Sequence, residues 1–72
     1  MAIEVWLQQQ GCEQDESDLN LWRISTRDWS AELTLDIEQI IVSYDSAGQA
    51  TRRAFPYSLS RRDLQEAIFS GP

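Results

Sequence analysis

Chemistry in this chain falls to carboxylates and guanidinium groups. The 72 residues include twelve Asp and Glu and six arginines, with no lysine, no histidine and a single cysteine. Without imidazole, neither a Ser-His nor a Cys-His pair can be assembled to activate a nucleophile. A zinc site needs several Cys or His ligands, and one cysteine is too few. The glycines stand alone at 11, 48 and 71, so no glycine-rich loop exists to cradle a phosphate. Cys12 has no second cysteine with which to form an internal disulfide. It sits in Gly11-Cys12-Glu13, where negative neighbours disfavour a thiolate, and it reads as a packing or loop residue.

The carboxylates form two groups. Glu13-Gln14-Asp15-Glu16-Ser17-Asp18 offers oxygen ligands of the kind Ca²⁺ or Mg²⁺ takes. It lacks the EF-hand pattern, since no central glycine follows and the twelfth position from Asp15 is Thr26, so the expectation is a solvated loop. Glu32, Asp36 and Glu38 share the polar phase of an alternating segment. Residues four apart on a strand lie ~13 Å from each other, too far for the carboxylate pair of a glycosidase. No catalytic, metal-binding or cofactor-binding residue is therefore expected, and the chain reads as a non-enzyme. Its size agrees: a domain this short buries only about 60% of its unfolded surface. It has little room for an enclosed site of roughly 300 Å³ or more.

The arginines carry the sharper expectation. Arg52 and Arg53 fall in a strand-like segment, and Arg61 and Arg62 in the first turn of a helix-like one. A helix N-terminus already holds partial positive charge, so two arginines there oppose the dipole. They pair either with the acidic loop and the Glu32/Asp36 face, or with a carboxylate or phosphate from outside, which the Arg fork grips in bidentate fashion. Of the tryptophans, Trp6 and Trp22 fit core positions. Trp29 shares a phase with Ala31 and Leu33, and partly exposed it would anchor an interface. The candidate partner-binding residues are thus Arg52, Arg53, Arg61, Arg62 and Trp29.

The elements that position these residues read as α-β-β-β-β-α. Residues 2–10 form a helix, with Ile3, Trp6, Leu7 and Gln10 on one face and Gly11 as its stop. Strands follow at about 19–26, 29–37, 39–45 and 50–57. In the first, Trp22 and Ile24 share a face, and Arg27-Asp28 supplies a tight connection. In the second, Ala31, Leu33, Leu35 and Ile37 alternate with Glu32, Thr34, Asp36 and Glu38, the pattern of a sheet with one face in water. Glu38-Gln39 holds no Gly, Asn or Pro, so a single bent strand over 29–44 is the alternative there. Asp45-Ser46-Ala47-Gly48 is a turn signal, and Pro56 assigns the last strand to a sheet edge. Residues 60–70 form the second helix, with Ser60 as N-cap, Asp63 at N3, a Leu59–Leu64 staple and a stripe of Leu64, Ala67 and Ile68. The fold class is a single α+β domain, an antiparallel sheet with two helices on one face.

The formal net charge is −6. Residues 1–38 hold nine acidic side chains against two arginines, and residues 39–72 hold three against four. Such a field repels nucleic acid and anionic membrane and suits a basic protein partner. No apolar run reaches the length of a membrane span. No basic segment leads into an apolar one, so the expected compartment is cytoplasmic. A homodimer through an open sheet edge is a further expectation. The alternative function is RNA binding, since helix, strands, helix with Arg61-Arg62 opening the last helix parallels a double-stranded RNA-binding domain.

Residues 6–14 (WLQQQGCEQ), 29–33 (WSAEL) and above all 55–72 (FPYSLSRRDLQEAIFSGP) resemble a family of small cyanobacterial and plastid proteins of unknown function. The tail pattern YSLSRxDxxxAIFxGP is the most specific part. The resemblance implies a cyanobacterial setting and a link to photosynthetic complexes. It brings no catalytic residues with it.

Overall fold

Alternation of apolar residues decides which side of each strand is buried, and three consecutive hairpins keep that choice in register. The computed structural model describes residues 2–72. It consists of α1 (Ile3–Gln9), β1 (Glu13–Gln14), β2 (Leu21–Ser25), β3 (Ser30–Leu35), β4 (Gln39–Ser46), β5 (Gln49–Pro56) and α2 (Arg61–Phe69). The strands form one antiparallel meander in the order β1-β2-β3-β4-β5. The architecture is the expected α+β one, with a fifth, two-residue strand added.

The register lines up Trp22, Leu33 and Val42 in one row and Ile24, Ala31 and Tyr44 in the next, with Leu35, Ile40 and Phe55 beyond. These rows share the face that both helices cover. Trp6 and Leu7 of α1 join Leu64 and Ile68 of α2 in the same buried cluster. The helices also touch each other through Trp6 and Phe69, whose rings lie 5.6 Å apart. The Tyr44 hydroxyl donates to the Ile68 carbonyl at 2.6 Å, tying the sheet to the last turn of α2. The opposite face carries the row Glu13, Arg23, Glu32, Ser43 and Arg52, all exposed.

Two local features differ from the sequence expectation. Part of the acidic segment is strand: Glu13 and Gln14 pair with Arg23 and Trp22. Two residues carry no readable periodicity, so the sequence showed only a polar loop. The 29–44 stretch is two strands, the first of the two readings and not the single bent strand, but β3 ends earlier than its pattern because the chain turns at Ile37-Glu38. There the Asp36 N–H donates to the Gln39 carbonyl and the Asp36 carboxylate accepts the Ile37 N–H. Neither turn residue has positive φ, so no glycine was needed to signal it. As a result Ile37 leaves the apolar face on which its phase had placed it and is 92% exposed. Asp36 and Glu38 likewise belong to the turn rather than to the strand face with Glu32.

The β4–β5 turn is of the primed type that matches strand twist, with φ of 52° at Ala47 and 81° at Gly48. Glycine adopts this freely; alanine does not. The α2 start is as read: Ser60 accepts the Asp63 N–H at 3.1 Å, and Leu59 packs against the core that contains Leu64. At the far end Gly71 lies against the Trp29 ring, where an added Cβ would come within 2.8 Å of Nε1.

Two outcomes follow in thermal and denaturant unfolding. Leu64→Ala, which empties a fully buried site, lowers stability by about 2–5 kcal/mol. In a domain with a core this small, that removes most of the cooperative transition. Ala47→Asn, which relieves a left-handed alanine, raises stability by up to about 1 kcal/mol. An unchanged midpoint in either case contradicts the corresponding assignment.

Candidate functional site

The arginines sort themselves according to which carboxylates the fold brings within reach. On the acidic side the pairing cation is Arg23, which the sequence had not singled out. Its guanidinium bonds Asp15 at 2.7 Å and reaches Glu32 at 3.5 Å. Asp15 also accepts the N–H groups of Ser17 and Asp18. The Arg23 hydrogen bond, helped by the Asp18 and Ser17 amides, holds its carboxyl below the usual carboxylate range. Pairing across adjacent strands is what brings Arg23, Glu32 and Asp15 together; the signal in sequence was the register, not the spacing.

Arg61 and Arg62 part company at the first turn of α2. Arg61 lies over the Trp6 ring, its guanidinium carbon 5.9 Å from the ring centre, and its Nε is buried without a hydrogen-bond partner. Arg62 points outward and meets Glu66, one turn along, at 3.4 Å. The doublet is turned two ways, one member on an aromatic face and one on a carboxylate. Trp29 is half-buried, edge-on to Tyr44 with ring centres 5.4 Å apart, and pressed against Gly71. Its side chain packs the end of α2 onto the sheet and stays partly exposed.

Arg27, in the connection between β2 and β3, is exposed and has no ion-pair partner among the described residues; Arg52 and Arg53 remain. Both are exposed on β5 and neither has an ion-pair partner among the described residues. Opposite Ser43, Arg52 projects on the water face; opposite Val42, Arg53 projects on the helix side. β5 pairs only with β4, so its other edge is open. Which amides face that edge follows from the alternation of antiparallel ladders. The Tyr57 N–H donates to the Glu38 carbonyl, and counting back from that pair, Phe55, Arg53 and Thr51 bond to β4. Ala50, Arg52 and Ala54 then present their N–H and C=O groups outward. Pro56 falls in the same outward phase, where its missing N–H costs the ladder nothing.

Two other groups complete the description. Cys12 is buried, and desolvation pushes its thiol up to about 11. Tyr57 donates its hydroxyl to the Asp36 carbonyl. Burial, reinforced by the Asp36 carboxylate and opposed by Arg61, raises the Tyr57 phenol. Among the described residues no group of three or more metal-ligating side chains converges, and no helix is long and apolar enough to cross a membrane.

A family model described as "Protein of unknown function (DUF3143)" matches residues 10–71. The match covers most of the chain, which therefore belongs to that family. No curated protein and no solved structure matches.

The Cys12 environment predicts an alkaline loss of stability. Because the thiol is harder to ionise folded than unfolded, stability is intact below the ordinary value of 9.0 and falls as pH rises from there toward about 11. The raised Tyr44 and Tyr57 phenols add in the same direction. Denaturant midpoints measured across that window show a shallower decline for Cys12→Ala than for the wild type; equal slopes contradict the assignment.

Proposed function

We propose that this member of a family of unknown function is a non-enzymatic protein-interaction domain that adds an extended, acidic segment of a partner to the open edge of β5. The observation that carries the reading is the pairing state of the cations. Arg23 and Arg62 have carboxylates, Arg61 an aromatic face, and Arg27 lies unpaired in the short connection between β2 and β3, while Arg52 and Arg53 alone combine exposure and the lack of an ion-pair partner among the described residues with a place on an unpaired strand edge. Main-chain bonding to Ala50, Arg52 and Ala54 supplies affinity in strand addition, and side chains on either face supply selection. Because Arg52 and Arg53 project to opposite faces, a partner strand with two consecutive carboxylates presents one to each. Exposed charge on an edge also discourages pairing with a second β5, where arginine would face arginine.

The resemblance of residues 55–72 to small cyanobacterial and plastid proteins supports a role as an accessory or assembly factor in a photosynthetic cell. RNA binding has less support, given the divided Arg61-Arg62 pair and the net charge of −6.

A synthetic peptide with two adjacent glutamates between short valine and threonine runs tests the proposal by fluorescence anisotropy. Arg52→Glu with Arg53→Glu weakens binding by roughly tenfold or more, equivalent to about 1.4 kcal/mol. Ala54→Pro removes an outward donor without touching charge, and it abolishes binding while leaving the melting curve intact. Binding that survives both variants, or retention of RNA in preference to the peptide at low salt, overturns the reading.

A further inference from the structure

A second surface lies at the end of the sheet where β3 turns into β4. An open cleft of about 510 Å³ is bounded there by Ile3, Leu35, Ile37, Tyr57, Asp36 and Arg61. We infer that this cleft is the two-fold interface of a homodimer, in which Ile37 of each copy enters the cleft of the other and Asp36 of each meets Arg61 of the other.

A two-fold interface must complement itself: the same patch has to hold both the knob and the hole, and both the anion and the cation. This patch does. Ile37 is 92% exposed at the tip of its turn, and Leu19, adjacent to the cleft-lining Asn20, is 64% exposed. Ile37 is the most exposed large apolar side chain among the described residues, and it stands at an apolar hollow formed by Ile3, Leu35 and the Tyr57 ring.

The charges fit the same symmetry. Arg61 is held over Trp6 with its Nε buried and unbonded. Asp36 lines the same cleft, yet no ion pair joins the two among the described residues. An acidic peptide in this cleft would answer Arg61 and leave its own charge against Asp36. A basic peptide would do the reverse. A second copy answers both, and the pairs it forms are partly desolvated by the isoleucines beside them, where charge pairs gain strength.

Sedimentation velocity at neutral pH, from micromolar to sub-millimolar protein, reads the result. The wild type moves from its 8.3 kDa monomer toward twice that mass as concentration rises. Ile37→Asp, at a position exposed in the monomer and harmless to the fold, stays monomeric. Asp36→Arg alone and Arg61→Asp alone each place like charges across the interface and stay monomeric. Mixed in equal amounts they form a heterodimer, because both cross-pairs are then opposite in sign. Arg52→Glu with Arg53→Glu dimerises as the wild type does, which separates this interface from the β5 edge. A wild type monomeric throughout overturns the inference, as does an Ile37→Asp variant that still dimerises or a mixture of reversals that does not associate.

Discussion

One-sided burial governs this molecule. Trp22, Leu33, Ile40, Val42 and Tyr44 are each at most 1% exposed, and all lie on the face that α1 and α2 close. Neither helix has an independent reason to form. α1 has seven residues and α2 nine, both shorter than an isolated helix needs in water. Their order comes from laying Trp6, Leu7, Leu64 and Ile68 on the sheet. Domains of this size hold only ~3–5 kcal/mol in reserve, so the packing of the covered face leaves little margin for change.

The same geometry distributes the charge. Placing β2 between β1 and β3 sets Arg23 between Glu13 and Glu32 on the water face and within reach of Asp15. Exposed pairs of this kind add little stability, but they decide which cations stay available. β5, at the far edge, has only Ser43 and Val42 of β4 beside its arginines. An acidic protein thus keeps a local basic strip on its one long open edge, while a cation and an anion face a shared cleft at the end of the sheet.

Much of the fold was legible. The alternation from Ala31 to Leu35 named the buried face, Pro56 named the edge strand, and Ser60 with Asp63 marked the start of α2. Legibility failed where structure depends on pairing rather than on local pattern. Ile37 kept the apolar phase of β3 but fell in a turn whose residues have ordinary φ, so nothing local announced it. β1 was too short to show a period. Arg61 and Arg62 looked like one basic feature in sequence, and helical geometry turned them apart. Arg23 looked ordinary until register put it between carboxylates. Trp29 alternated with Ala31 and Leu33 as a strand residue should, but its contact with Gly71 depends on where α2 ends.

Amide hydrogen exchange with and without the acidic peptide reads the central claim directly. In the free protein, Thr51, Arg53 and Phe55 exchange slowly because β4 holds their N–H groups, while Ala50, Arg52 and Ala54 exchange fast from the open edge. Saturating peptide slows Ala50, Arg52 and Ala54 together and leaves the Arg61 region unchanged. If those three amides are already protected in the free monomer, or stay fast while peptide is bound, β5 is not the docking edge.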